Sequence, residues 1–86
     1  MASFSSSSDE LKAIGNDCFN KGDFSGAEEI FTRAIDTFDP TAILYSNRAA
    51  ARFHLGKFRE SLADTDQSIK IDPKWGKVYI MIYNII

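Results

Sequence analysis

Apolar residues recur along this chain at spacings of three, four and seven. The clearest run is Phe24, Ala27, Ile30, Phe31, Ala34, Ile35 and Phe38, which places one apolar stripe on a single helical face. No stretch shows the strict apolar–polar alternation of a half-buried strand, so the pattern predicts an all-α protein. The helix signals divide it further. Ser7-x-x-Glu10 reads as a capping box that opens a first helix running to about Lys21. Gly22 ends that helix and Asp23 can cap the next. Asp39-Pro40 gives an N-cap followed by proline in the first turn of a third helix, which ends near Leu55-Gly56. A fourth runs from about Phe58 to Ile71, and Asp72-Pro73 repeats the start signal for a fifth.

The pattern also repeats. A shift of 34 residues brings Phe19 onto Phe53, Gly22 onto Gly56, Phe24 onto Phe58, Ile35 onto Ile69 and Tyr45 onto Tyr79. Small residues align as well, Ala27 with Ser61 and Ala34 with Ser68. A period of this length marks stacked supersecondary units, here pairs of helices.

Helix pairs at this period resemble the tetratricopeptide repeat, whose pattern is W-x2-L-G-x2-Y…A-x3-F…P. Its positions fall on Leu11, Ile14, Gly15, Cys18, Ala27 and Phe31 in the first unit, with Pro40 one residue late. In the second they fall more loosely on Tyr45, Arg48, Ala49, Arg52, Ser61 and Thr65. The glycine–aromatic turns "KGDF" and "GKF" and the Asp-Pro junctions add specificity. The expected organisation is a serine-rich disordered tail over 1–7, one repeat over 8–39 and a second over 40–72. The first helix of an incomplete third is expected over 73–86. The apolar ending "YIMIYNII" departs from the family, as if the chain stopped early or read into unrelated sequence.

Charge adds a direction. The net charge of −2 gives no bulk case for nucleic acid or an anionic membrane surface. The first-type helices nevertheless carry Lys12, Lys21, Arg48, Arg52, Lys74 and Lys77 against Asp9, Glu10 and Asp17. The second-type helices reverse this balance. In the resembled family the first-type helices line a concave groove, so the count predicts a positive groove suited to an anionic ligand.

Asn47 sharpens this. Asn is a mediocre helix former, because its amide competes for nearby backbone groups. At 100° per residue, Asn47, Ala50, Ala51 and His54 share one face, and the alanines keep that face low. Together "LKAIGN", "YSNRAA" and "WGKVY" resemble the carboxylate-clamp subclass of tetratricopeptide co-chaperones. That resemblance implies an adaptor gripping the acidic C-terminal peptide of the 70- and 90-kilodalton heat-shock chaperones. It implies Lys12, Asn16, Asn47 and Lys77 as peptide-binding residues, with Ala50, Ala51, His54 and Arg52 as further contacts. The second cation of the family's third unit is replaced here by Met81.

Other chemistry finds no support. Lone Cys18 cannot form an internal disulfide, which favours a reducing, cytoplasmic setting. His54 has no ligand partner at metal spacing, and no phosphate loop, catalytic carboxylate pair or activated serine is present. Arg48 is expected to brace neighbouring helices against Asp or Glu. The sequence thus predicts a binding module without enzymatic activity, cofactor, nucleic acid or membrane partner. The competing reading is a structural or dimerising helical module that self-associates through its apolar C-terminal helix.

Overall fold

The computed structural model describes residues 7–38 and 40–75, without the Trp75 side chain. Four α-helices follow in chain order: α1 (Ser8–Asn20), α2 (Phe24–Thr37), α3 (Ala42–His54) and α4 (Phe58–Ile71). A 3-10 turn at Pro73–Trp75 follows. The helix expected beyond it, with Lys77 and Met81, lies outside the described residues, as does Asp39.

Local chemistry sets these boundaries. Ser7 Oγ accepts from the Glu10 amide at 3.1 Å while the Ser7 amide donates to Glu10 Oε1 at 2.8 Å, so the capping box is closed in both directions. Asp23 caps α2 by accepting from the Gly26 amide at 2.9 Å. Gly22 and Gly56 occupy the left-handed region, at φ 84° and 79°, where the chain reverses out of α1 and α3. The start of α3 corrects the sequence reading. Its N-cap is Thr41, whose hydroxyl accepts from the Leu44 amide at 3.2 Å. Pro40 therefore precedes the cap rather than sitting in the first turn. A threonine one residue after proline can reach a free amide while its own backbone stays extended, and that decides the start.

Each helix packs mainly on its neighbour in the chain, giving two helix hairpins joined through α2 and α3. Phe31, Ala27, Ala34 and Ile35 of α2 form the centre, closed by Leu11 of α1 and by Leu44 and Ala51 of α3. Gly15 lets the Phe31 ring lie directly on α1, in space that any Cβ would occupy. The second hairpin is held differently. Ser61 and Ser68 stand where the first has alanines, and both are buried. Ser61 Oγ donates to the Ala49 carbonyl at 2.7 Å, and Ser68 Oγ to the Ala42 carbonyl at 3.0 Å. Small hydroxyls thus let α4 approach α3 closely and satisfy their own polarity.

Candidate functional site

The face shared by α1 and α3 carries the predicted site. Asn16 sits one turn after Lys12 on α1, and Asn47 lies opposite on α3. Asn47 Nδ2 donates to Asn16 Oδ1 at 3.4 Å, the one side-chain hydrogen bond joining α1 to α3 among the described residues. A cavity of about 140 Å³ opens there, lined by Asn16, Phe19, Asn47 and Ala50. Lys12, one turn before Asn16, is partly exposed and lies 3.7 Å from Asp9. His54 stands further along α3, stacked flat on Phe24 at 4.4 Å and edge-on to Phe19 at 5.3 Å. It is exposed but lies outside the lining of the cavity.

Behind this face runs a polar network. Arg48 Nη2 and Nε reach the two oxygens of Asp64 at 2.6 and 2.9 Å, a bidentate pair, and Arg48 Nη1 donates to Thr32 Oγ1 at 3.2 Å. Arg52 Nη1 donates to Asp64 at 2.9 Å and Arg52 Nε to Glu28 at 2.8 Å. Lys57 Nζ completes the set on the other Glu28 oxygen at 2.8 Å. Asp64 is only 2% exposed, yet no buried side-chain polar atom among the described residues lacks a partner. Burial pushes the Arg48 pKa down, but the hydrogen bond and charge of Asp64 outweigh it and hold the guanidinium above its ordinary value. Burial likewise pushes the Glu28 carboxyl up, and Lys57 and Arg52 together bring it below its ordinary range.

No protein-family model matches the chain. Individual relatives do. Heat shock protein STI1 of Saccharomyces cerevisiae is 43% identical over 72 residues, covering 83% of this chain and 12% of that protein. Hsp70-Hsp90 organizing protein 2 of Arabidopsis thaliana is 42% identical over 69 residues, 80% of this chain and 12% of its own length. The solved Sgt2 TPR domain from Aspergillus fumigatus superposes with a TM-score of 0.76 at 32% identity, over 83% of this chain and 47% of that one. The chain is a tetratricopeptide-repeat segment, similar to segments of these relatives. It spans about an eighth of the length of these two curated relatives.

Within this tetratricopeptide segment, three residues of the predicted set converge: Asn16, Asn47 and Ala50 line one cavity, with Lys12 a turn away. Besides His54, two others are placed elsewhere. Ala51 is fully buried in the hydrophobic core and cannot meet a ligand. Arg52 is bound to Glu28 and Asp64, turned away from the groove. The geometry explains both. Taking Asn47 as origin at about 100° per residue, Ala50 falls near −60° and His54 near −20°. Ala51 and core Leu44 fall near +40° and +60°, with Arg48 and Arg52 beyond them. The groove and the core thus lie on opposite sides of Asn47.

The positive groove needs the same correction. Arg48 and Arg52 spend their charge on acids of α2 and α4, Lys21 pairs with Asp17 at 3.0 Å, and Lys77 lies outside the described residues. Lys12 stands one helical turn before Asn16, and it too has an acidic neighbour, Asp9 at 3.7 Å. Phe19 was not among the predicted contacts. It follows Asn16 by three residues, the same helical spacing that identified the others.

Proposed function

We propose that this segment is a cytoplasmic, non-enzymatic adaptor that binds the acidic C-terminal peptide of 70- and 90-kilodalton heat-shock chaperones through a carboxylate clamp. The observation that carries the reading is the pair of facing amides, Asn16 and Asn47, at the cavity between α1 and α3. At 3.4 Å their mutual bond is long, and both groups are neutral. A terminal carboxylate offers acceptors only, and hydrogen bonds to an ionised acceptor are roughly twice as strong as neutral ones. Exchange of the amide–amide contact for two amide–carboxylate bonds is therefore favourable. Lys12 supplies the counter-charge from the adjacent turn, and Lys77 would supply the fourth contact from beyond the described residues. Ala50 leaves room for the ligand backbone, and Phe19 offers an apolar wall to a neighbouring side chain. The names of the relatives, an Hsp70-Hsp90 organizing protein among them, point to the same partners.

Calorimetric titration of the chain with a short acidic peptide tests this, comparing the free C-terminal acid with its amide. The acid should bind and the amide should lose most of that affinity. Asn47→Ala should cost about 1.5–3 kcal/mol, the range for a hydrogen bond to a charged group. That corresponds to roughly a 10- to 150-fold weaker Kd. Equal binding of acid and amide would end the clamp reading and favour a structural or self-associating helical module.

A further inference from the structure

The groove spans α1 and α3, yet those two helices touch only narrowly, and their relative placement is set by α2, which packs on both. Among the described residues, four side-chain hydrogen bonds cross from the first hairpin to the second. One is the Asn47–Asn16 contact itself; the others are Arg48–Thr32, Arg52–Glu28 and Lys57–Glu28. Two of the remaining three end on Glu28.

The 34-residue period shows how specialised that arrangement is. The positions equivalent to Glu28, Arg48, Arg52 and Asp64 in the other repeat are Leu62, Ile14, Cys18 and Ile30. The polar junction is therefore built once, between the two hairpins, and is not a general property of the repeat. Lys57 makes the point most clearly. Its equivalent, Asp23, caps α2 through its side chain, whereas α4 begins at Lys57 with no side-chain cap. At this position a helix cap has been exchanged for a bond across the junction to Glu28.

We infer that Glu28, held by Arg52 and Lys57, is a positioning residue for the groove: an ionic latch that fixes α3 against the first hairpin and so sets the Asn16–Asn47 spacing. Its carboxylate meets Arg52, which lies on the side of α3 away from Asn47 and Ala50, and it does not line the cavity. Charge suits the task, because a paired carboxylate has one satisfied geometry where an apolar contact would tolerate sliding. The inference rests on the carboxylate-clamp reading of the groove.

Two substitutions in the whole chain test it, using the same acidic peptide as free acid and as amide. Glu28→Gln should weaken the free acid roughly three- to ten-fold, as expected for a coupled residue outside the site. The amide should change little, so the acid-to-amide preference falls. Lys57→Asn restores a capping side chain to α4 while removing one arm of the latch. Its Tm should hold or rise while the preference falls. A purely structural role predicts that stability and preference move together. A preference left at the wild-type value in both variants, while Asn47→Ala abolishes it, would keep the clamp and overturn the latch. Absence of any preference in the wild type would overturn the clamp and the latch with it. Should Glu28→Gln fail to fold, the Lys57→Asn result decides.

Discussion

Replacing Asp64 with alanine removes the hub of the polar network. One carboxylate, 3% exposed in its side chain, receives three charge-assisted bonds from Arg48 and Arg52, whose side chains are 12% and 19% exposed. Its loss leaves two cations in a mostly dry setting. Breaking one partner of a buried ion pair costs about 3–5 kcal/mol. Arg52 keeps Glu28 and Arg48 keeps Thr32, which favours the lower end, near 3 kcal/mol. A chain of 86 residues has about 4–13 kcal/mol of stability at about 0.05–0.15 kcal/mol per residue, so this is a large share. Urea denaturation followed by far-ultraviolet circular dichroism reads it directly. With a slope near 1 kcal/mol/M, the midpoint should fall by about 3 M or the variant should be unfolded in buffer. The control replaces the bidentate pair together, Asp64→Leu with Arg48→Met, leaving Arg52 on Glu28, and should recover much of the loss, because the apolar isosteres remove the more buried stranded charge. A midpoint shift under about 1 M for Asp64→Ala would show that water reaches the arginines and refute the reasoning.

Gly15→Ala should destabilise the chain by up to about 2 kcal/mol in the same assay. The new methyl meets the buried Phe31 ring, and overpacking of about 1–3 kcal/mol outweighs a helix-propensity gain of about 1 kcal/mol; a net gain would show that the ring has room to move. Acid should weaken the fold through Glu28. Its folded pKa lies below the ordinary 4.5, so its contribution is present above that value and lost as pH falls through the folded one. Thermal midpoints measured downward from pH 5 should fall more steeply in the wild type than in Glu28→Gln; superimposable profiles would exclude this role.

Much of this fold is readable from local chemistry. The capping box at Ser7 and Glu10, the Asp23 cap and the two reversing glycines each depend on a few adjacent residues, and each stands where the residues put it. The start of α3 is less legible, because the Asp-Pro signal points to Asp39 whereas the Thr41 hydroxyl reaches the Leu44 amide and takes the cap. Asn16 and Asn47, 31 residues apart, are linked in sequence only by the family resemblance, since the 34-residue shift aligns Asn16 with Ala50. The arginines divide instructively. Arg48 was expected to brace helices and does so. A charge count per helix groups Arg52 with the possible groove contacts because it ignores which side of the helix a residue occupies. Its true partner, Glu28, lies 24 residues away on α2, and no local pattern links the two. Ala51 shows the same limit on a smaller scale: a rotation of about 100° separates it from Ala50, and that rotation divides core from cavity.

Packing each helix chiefly on its chain neighbour has a consequence for how quickly the native state is reached. Partners close in sequence meet after short loop closures, so the entropy lost before contacts form is small, and chains of this kind fold in microseconds to milliseconds. The α1–α2 hairpin can assemble around Phe31 as soon as those residues are available. The ionic junction needs three helices present together and forms late. Substitutions in the α1–α2 core around Phe31 should then slow folding, whereas those at the junction residues Glu28 or Asp64 should chiefly hasten unfolding. The same contacts that align the groove thereby determine the lifetime of the assembled state rather than the speed of reaching it.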